Sequence, residues 1–228
     1  MILDSISDIG VKRKENQDNF WSALVKRDNQ DEGVICVCDG MGGLYNGQIA
    51  SRIAAEAVRD SIIDGVSFLE LESVLLQANK TIYQLGKQES QKMGTTCTVL
   101  KCSQGVYEIL HVGDSRCYKV HNGVLQQCTN DHSALKKYNI TRESNPAAWK
   151  KYRNALTKCL GVTEEVTIDA YVGAYDEGDI FIVCSDGLWH YLDKNPWQNS
   201  YIRKLSSLVD RCISSGETDN ITCCVLYV

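Results

Sequence analysis

Five aspartates in this sequence share one setting, because each lies at an end of an apolar run and beside glycine or a small polar residue. Asp39-Gly40 follows a run of valine, isoleucine and cysteine, and Asp186-Gly187 follows a similar run. The other three are Asp18, Asp114 and Asp219. An Asp-Gly pair at a strand end is by itself usually a turn. Five carboxylates at strand ends of one sandwich can instead converge on one rim, where they repel one another unless cations neutralise them.

Oxygen donors of this kind predict a hard divalent cation. Carboxylate and carbonyl oxygens suit Mg²⁺ or Mn²⁺ better than they suit zinc. Because glycine has no side chain, Gly40 lets the backbone come close enough for its carbonyl to join the coordination. The sequence therefore predicts a centre that holds two or more divalent cations.

An arginine that precedes the first of these aspartates is the candidate phosphate anchor. Arg13 lies five residues before Asp18, in a segment that contains Gly10. A guanidinium group matches phosphate oxygens with two parallel hydrogen bonds. The alternative is a solvated charge, since Lys12 and Lys14 are its neighbours. The aspartates nearby favour the anchor.

The elements that must position these residues are grouped strands and separate helices. Apolar and β-branched runs predict strands at 20–25, 33–38, 95–102, 106–112, 116–121, 124–126, 167–172, 179–184 and 221–228. Helical periodicity predicts helices at 47–63 and 69–89, and a last helix with Asn195 as its N-cap and Pro196 at its first position. Asn122-Gly123 predicts a hairpin turn, and residues 39–43 predict a glycine-rich loop.

This order of elements predicts an antiparallel α+β fold, because a strict βαβ alternation is absent. Two sheets packed face to face, with helices outside, account for the order. A length of 228 residues fits a single domain, 1–228. Residues 133–157 are polar, basic and weakly periodic, which predicts a partly helical surface excursion.

Composition limits the class of protein. A net charge of −5 argues against a nucleic-acid binder, since no basic excess is available to neutralise phosphates. The sequence shows neither a signal peptide nor an apolar run of about 18 residues, which predicts a cytoplasmic protein with no membrane span.

The cysteines predict a reduced protein. Their odd count of eleven excludes a complete set of intramolecular disulfides. Most lie in apolar, strand-like runs, where cysteine acts as a small buried hydrophobe. Cys36-x-Cys38 and Cys223-Cys224 could also be thiolate ligands or redox pairs, but neither has the spacing of a zinc site. So many free thiols fit a reducing compartment.

Short motifs around these residues follow one another over nearly the whole chain. They are Ser7-Asp8-Ile9-Gly10, Arg13, Asn16-Gln17-Asp18, Asp39-Gly40-Met41-Gly42-Gly43, Gly94-Thr95-Thr96, His111-Val112-Gly113-Asp114-Ser115-Arg116, Asp131-His132-Ser133, Arg153-Asn154-Ala155-Leu156-Thr157, Leu160-Gly161, Gly178-Asp179, Ser185-Asp186-Gly187-Leu188 and Asp219-Asn220-Ile221-Thr222. Together and in this order they resemble the metal-dependent protein phosphatases, the type 2C serine/threonine phosphatases, in their bacterial branch.

The resemblance implies a four-layer α-β-β-α sandwich with the metal centre at one end. It implies that Asp39 bridges a pair of Mn²⁺ or Mg²⁺ ions and that Arg13 binds the substrate phosphate. The remaining ligands that it implies are Asp18, Asp186, Asp219 and the carbonyl of Gly40, with Asp114 for a third and weaker metal. Gln17 stands where many relatives have glutamate, which changes a water-mediated contact to a metal and not a direct ligand.

The reaction that the resemblance implies is hydrolysis of phosphoserine and phosphothreonine in proteins by a water that bridges two divalent cations. No covalent phosphoenzyme is needed, and none of the cysteines lies in a Cys-x5-Arg loop. Two alternatives are a catalytically silent binding domain of the same fold and a phosphatase of small phosphomonoesters. The expected partners are a phosphorylated protein substrate and a serine/threonine kinase. The protein is expected to be a monomer that acts in cytoplasmic signalling.

Two departures from the family pattern concern the leaving group and the substrate. Met41 stands where eukaryotic members often have a histidine, so the proton for the leaving group comes from a water or from another group. His111 and His132 are the alternatives by residue type, and both are expected to be structural. Residues 133–153 are unusually basic and aromatic, which fits either a solvated loop or a contact surface for an acidic or phosphorylated protein.

Overall fold

A computed structural model describes residues 1–42, 46–195 and 204–228. The strands are β1 (Ile2–Asp8), β2 (Asp18–Arg27), β3 (Gln30–Gly42), β4 (Met93–Thr95), β5 (Cys97–Ser103), β6 (Val106–Val112), β7 (Arg116–His121), β8 (Val124–Gln127), β9 (Asp169–Ala174), β10 (Ile180–Cys184) and β11 (Ile221–Tyr227). The helices are α1 (Asn46–Ile63), α2 (Phe68–Gln88), α3 (Ala134–Lys137), α4 (Pro146–Tyr152), α5 (Asp186–Leu192) and α6 (Leu205–Ser214).

The strands form two antiparallel sheets. One sheet has the order β1-β11-β10-β7-β8, and the other has the order β2-β3-β5-β6-β9, with β4 added to β3. Helices α1 and α2 cover the outer face of the second sheet, and α5 and α6 cover the outer face of the first. The predicted α+β class, with two sheets between two helical layers, is therefore confirmed.

Strand β3 shows how the sequence specifies these layers. Successive side chains of a strand point to opposite faces of its sheet. Val34 and Cys36 pack against the helices, whereas Ile35 and Val37 pack between the sheets. Because both faces are covered, this run is apolar at every position instead of alternating with polar residues.

Most predicted elements are confirmed with small changes at their ends, but one motif was assigned wrongly. Residues 39–42 are not a loop, because they continue β3 and pair with β4, in the register Gly40↔Thr95. Asp186 and Gly187 begin α5, so the turn that a single Asp-Gly pair usually indicates is not formed there. Gly43 and Pro196 lie outside the described residues, as does the predicted start of the last helix, of which Leu205–Ser214 is described.

The predicted excursion at 133–157 contains α3 and α4, and its two ends lie next to each other. Ser133 pairs with Leu156 as an isolated bridge, and the Ala134 N–H donates to the Ala155 carbonyl at 2.7 Å. Asn145 caps α4, with Pro146 in the first turn, a common arrangement at helix N-termini. The prediction of a partly helical segment is confirmed.

The cysteines are free, and all but Cys128 are buried, which confirms their predicted role as small apolar side chains. Neighbouring cysteines on a strand divide between layers, so Cys223 faces the helices and Cys224 faces the other sheet. The Cys36, Cys38 and Cys97 sulfur atoms lie within 4.8 Å of one another, in the apolar layer under α1 and α2. None of the helices described here is both long and apolar enough to cross a membrane.

Candidate metal centre

The first two aspartates lie side by side on neighbouring strands. Asp18 begins β2 and is the register partner of Asp39 on β3. The Asp39 N–H donates to Thr96 Oγ1 at 2.8 Å, and the Thr96 N–H donates to the Asp39 carbonyl at 2.9 Å. Thr96 thus binds both the N–H and the carbonyl of Asp39, which fixes the backbone position from which the Asp39 side chain extends.

Asp186 reaches the same place from the other sheet. Strand β10 ends at Cys184, and Ser185 then starts α5, with Asp186 in the first turn. Ser185 Oγ donates to Asp18 Oδ2 at 2.8 Å and accepts from the Thr222 N–H at 3.0 Å. A single serine hydroxyl thus ties together three segments of the centre.

Asp219 precedes β11 and is bound by the candidate phosphate anchor. Arg13 Nη2 donates to Asp219 Oδ2. That hydrogen bond is the main reason why the pKa of Arg13 is raised, and the charges of Asp186 and Asp39 add to the effect. Half of the Arg13 side chain remains exposed (49%), so the guanidinium lies at the edge of the centre and faces solvent.

Two glycines allow segments of the centre to approach each other closely. A Cβ at Gly40 would lie 2.1 Å from the carbonyl oxygen of Gly47, at the start of α1. Gly10 has a φ of +73°, and a Cβ there would lie 2.1 Å from the carbonyl oxygen of Asp219. Neither position accepts a side chain without moving backbone, so each glycine fixes the distance between two segments.

Asp114 lies between β6 and β7 and is attached to α5 by a tryptophan. Trp189 Nε1 donates to the Asp114 carbonyl at 2.8 Å. The Arg116 guanidinium stacks on the Trp189 ring, 3.7 Å from its centroid, and pairs with Asp131 through two hydrogen bonds. The indole of Trp189 therefore has an acceptor at its N–H group and the Arg116 cation over its ring.

His190 is a residue of this region that the sequence analysis missed. Its Nδ1 lies 3.2 Å from Glu217 Oε2, while Glu217 Oε1 accepts the N–H groups of Thr218 and Asp219. Burial alone would lower the pKa of His190, but its contact with Glu217 and the charges of Asp186 and Asp114 together raise it. The signal was its position one turn after Asp186, which becomes visible only once α5 is recognised.

His111 and His132 are structural, as predicted. His111 Nδ1 lies 2.9 Å from Thr98 Oγ1, and its Nε2 lies 3.1 Å from the Asn130 carbonyl oxygen. His132 Nδ1 accepts the Gly113 N–H at 3.0 Å, and its Nε2 lies 3.1 Å from Asp169 Oδ2. Both rings use both nitrogens inside the protein.

The electrostatics of the cluster are those of crowded, buried acids. Burial raises the pKa of Asp39 and of Asp186 well above the usual range, and the neighbouring carboxylates raise it further. Burial also raises the pKa of Asp18 to about 6 and that of Asp114 to about 6. Carboxylates in such a setting are stabilised as anions only by added positive charge.

The donor set fits divalent cations. Asp18 Oδ1 is buried and has no hydrogen-bond partner among the described residues, as expected of an oxygen that coordinates a cation. In the part of the chain described, no three of these carboxylates offer oxygen atoms that all lie within 4.8 Å of one another. Cations held here would complete their shells with water and backbone oxygens, as Mg²⁺ usually does.

Comparison with known proteins gives consistent matches over nearly the whole chain. The family model for protein phosphatase 2C matches residues 11–221. A serine/threonine phosphatase stp of Listeria monocytogenes is 31% identical over 233 residues, which covers 95% of this chain and 91% of the relative. Protein phosphatase PhpP of Streptococcus pneumoniae is 32% identical over 247 residues, which covers 97% and 95%. The solved structure of the S. agalactiae serine/threonine phosphatase superimposes with a TM-score of 0.79 at 29% identity and covers 100% of this chain and 99% of that one.

Proposed function

The chain belongs to the protein phosphatase 2C family, and from this membership we propose that the aspartate cluster is the metal centre of its serine/threonine phosphatase activity. The observation that supports the assignment is the convergence of buried carboxylates from both sheets, with one oxygen of Asp18 that has no hydrogen-bond partner in the described parts of the chain. Acids in this arrangement destabilise the protein unless cations are bound, and selection retains such strain for function.

The roles proposed for the individual residues follow from their positions. Asp39 is the residue proposed to bridge two cations, because the charges of the other four aspartates all act on it. The further ligands that we propose are Asp18, Asp186, Asp219 and the carbonyl of Gly40, with Asp114 for a third cation. When bound, the cations neutralise phosphate charge and make a water acidic enough to act as a nucleophile near neutral pH. The oxygen donors are compatible with both Mn²⁺ and Mg²⁺.

The protein's own part in the reaction is to position the phosphate and to hold the centre in shape. We propose that Arg13 exchanges part of its contact with Asp219 for two hydrogen bonds to the phosphoryl oxygens. Thr96 holds the backbone of Asp39, and Ser185 holds the side chain of Asp18, each by a hydrogen bond. The fixed donors and acceptors are already in place before substrate binds, which lowers the reorganisation that the reaction requires.

The wider setting is part of the same proposal. We propose that residues 1–228 act as one phosphatase domain, with the excursion at 133–157 beside the centre, and that the protein works as a cytoplasmic monomer in bacterial signalling. Its substrates are phosphorylated proteins, and a serine/threonine kinase is the partner that would generate them.

The test is hydrolysis of p-nitrophenyl phosphate and of a phosphothreonine peptide with Mn²⁺, with Mg²⁺ and with EDTA. We expect turnover with metal, none with EDTA, and none for Asp186→Asn. Asp210→Asn is the matched control, because Asp210 is exposed on α6. Folded wild-type protein that hydrolyses neither substrate with any metal would indicate a silent binding domain. Turnover of p-nitrophenyl phosphate alone would indicate a phosphatase of small esters.

Removal of the Arg13 guanidinium is expected to weaken substrate binding. Arg13→Ala should raise KM by about 10–100-fold, because charged hydrogen bonds contribute about 1.5–3 kcal/mol, and Arg13→Lys should recover part of this. Lys12→Ala is the control, since it removes a neighbouring charge that makes no ion pair within the described residues. Equal effects of the Arg13→Ala and Lys12→Ala variants on KM would show that Arg13 is only a solvated charge.

Loss of the indole N–H of Trp189 is expected to alter metal dependence. Trp189→Phe keeps an aromatic ring beside Arg116 but leaves the Asp114 carbonyl without its donor. A lost hydrogen bond of about 1 kcal/mol should raise the metal concentration needed for half-maximal activity about fivefold. Trp21→Phe, on β2, should leave that concentration unchanged. A lower melting temperature with unchanged metal dependence would mean that Trp189 is only structural.

A further inference from the structure

The excursion concentrates positive charge on an otherwise acidic protein. Residues 133–153 contain six lysines and arginines and one glutamate, a net charge of +5 in a chain whose net charge is −5. All six basic side chains are exposed: Lys136, Lys137, Arg142, Lys150, Lys151 and Arg153. The rest of the chain has a net negative charge, so the excursion differs from it in carrying an excess of cations.

These cations have no acidic partner among the residues that the structure describes. None of the six lies within ion-pair distance of a carboxylate in the described parts of the chain. Several lie over aromatic rings instead: the guanidinium carbons of Arg142 and Arg153 lie 5.5 and 5.8 Å from the Trp149 ring centroid, and Lys151 Nζ lies 4.9 Å from that of Tyr152. Aromatic faces hold cations in place without neutralising their charge.

The basic surface is continuous with the proposed metal centre. The excursion starts where the His132 N–H donates to the Gly113 carbonyl at 2.7 Å, one residue before Asp114. A cleft of about 470 Å³ is lined by Asp114, Lys136 and Arg153, among other residues. A peptide chain that enters the centre through this cleft therefore passes the basic side chains.

We propose that residues 133–153 form a docking surface for acidic residues that flank the phosphorylated residue of the substrate protein. The inference rests on the proposed function of the neighbouring centre. Unpaired cations attract carboxylates, and exposed charges of one sign beside a cleft raise the encounter rate of an oppositely charged ligand. A long polyanion such as a nucleic acid fits less well, because the rest of the chain has a net negative charge.

The test compares two phosphothreonine peptides that differ only in their flanks. One carries aspartate and glutamate on both sides of the phosphorylated residue, and the other carries asparagine and glutamine. For the wild-type protein with metal, we expect kcat/KM to be about tenfold higher for the acidic peptide, through a lower KM, because several exposed ion pairs act together. The preference should disappear at 500 mM NaCl, where exposed charges are screened within about 4–5 Å.

A charge-matched pair of variants locates the effect. The first variant removes four lysines of the excursion: Lys136→Gln, Lys137→Gln, Lys150→Gln and Lys151→Gln. The second removes four exposed lysines on other elements: Lys26→Gln, Lys80→Gln, Lys87→Gln and Lys204→Gln. The preference for the acidic peptide should fall towards one in the first variant and persist in the second. The preference is the ratio of kcat/KM for the two peptides within one variant. Partial unfolding lowers the rate for both peptides equally and leaves this ratio unchanged.

The outcomes separate this inference from the proposed function. If the wild-type protein hydrolyses neither peptide with any metal, the phosphatase assignment fails. If it hydrolyses both peptides equally well at 50 mM NaCl, the docking surface is refuted while the phosphatase stands. Equal loss of the preference in both lysine variants would also refute it, because the effect would then come from overall charge. The docking surface would also be refuted if the protein bound single-stranded RNA or anionic vesicles tightly and showed no preference between the two peptides.

Discussion

Replacement of Asp39 by asparagine is expected to abolish phosphatase activity and, at the same time, to stabilise the metal-free protein. Activity should fall by about 10³-fold or more, because cations supply several kcal/mol of charge stabilisation in such reactions. Stability should rise because Asp39 is buried among other carboxylates, and both burial and their charges raise its pKa. Asparagine keeps the shape and removes the repulsion, which we expect to add about 1 kcal/mol, or about 2–4 °C in melting temperature for a chain of this size.

The measurement is thermal unfolding in EDTA together with turnover in Mn²⁺ and Mg²⁺. Asp31→Asn is the matched control, since Asp31 lies on the same strand β3, where its side chain is 64% exposed. It should change neither quantity. A variant at Asp39 that is inactive and also less stable without metal would contradict the prediction, because it would mean that the carboxylate is needed for folding and not for cations.

Replacement of Arg116 by methionine is expected to have the largest effect on stability. The guanidinium is nearly buried, pairs with Asp131 through two hydrogen bonds, and also donates to Tyr118 and Asp193. Burial alone would lower the pKa of Arg116, but the contacts with Asp131 more than offset this and raise it. Without the arginine, Asp131 remains buried and uncompensated, which typically costs about 3–5 kcal/mol.

Urea unfolding of the metal-free protein measures this cost. Arg59→Met is the control, because Arg59 is an exposed arginine that pairs with Glu56 and Asp60 on the surface of α1. Exposed ion pairs contribute about 0–1 kcal/mol. Similar losses from the two substitutions would show that the network around Arg116 contributes no more than a surface pair does.

The sequence predicted those features that depend on local pattern. The run before Asp39 identified a strand, and the spacing of apolar residues identified α1 and α2 almost to the residue. The convergence of the aspartates also followed from a local rule, namely that each carboxylate lies at one end of an apolar run. That rule needed only the assumption that the sheets pack face to face.

The features that were missed depend on contacts between distant parts of the chain. Asp39 through Gly42 look like a loop because glycine-rich segments usually are loops, and only pairing with β4 makes them a strand. Helix α5 has seven residues, too few to show periodicity. The contact between His190 and Glu217 depends on where α5 ends and where β11 begins, which no short window of sequence contains. The edge strand β1 mixes polar and apolar residues and gives little local signal.

The serine at the start of α5 has a consequence for the life of the protein in the cell. Ser185 joins Asp18 of one sheet to the strand after Asp219 of the other, so the candidate ligands come from both halves of the sandwich. Any ion bound by both halves must leave before the sheets can separate, and each tenfold rise in its free concentration above the dissociation constant adds about 1.4 kcal/mol against unfolding. Metal supply would then set how long each molecule escapes proteolysis as well as how fast it turns over, and scarcity would deplete the enzyme as well as slow it.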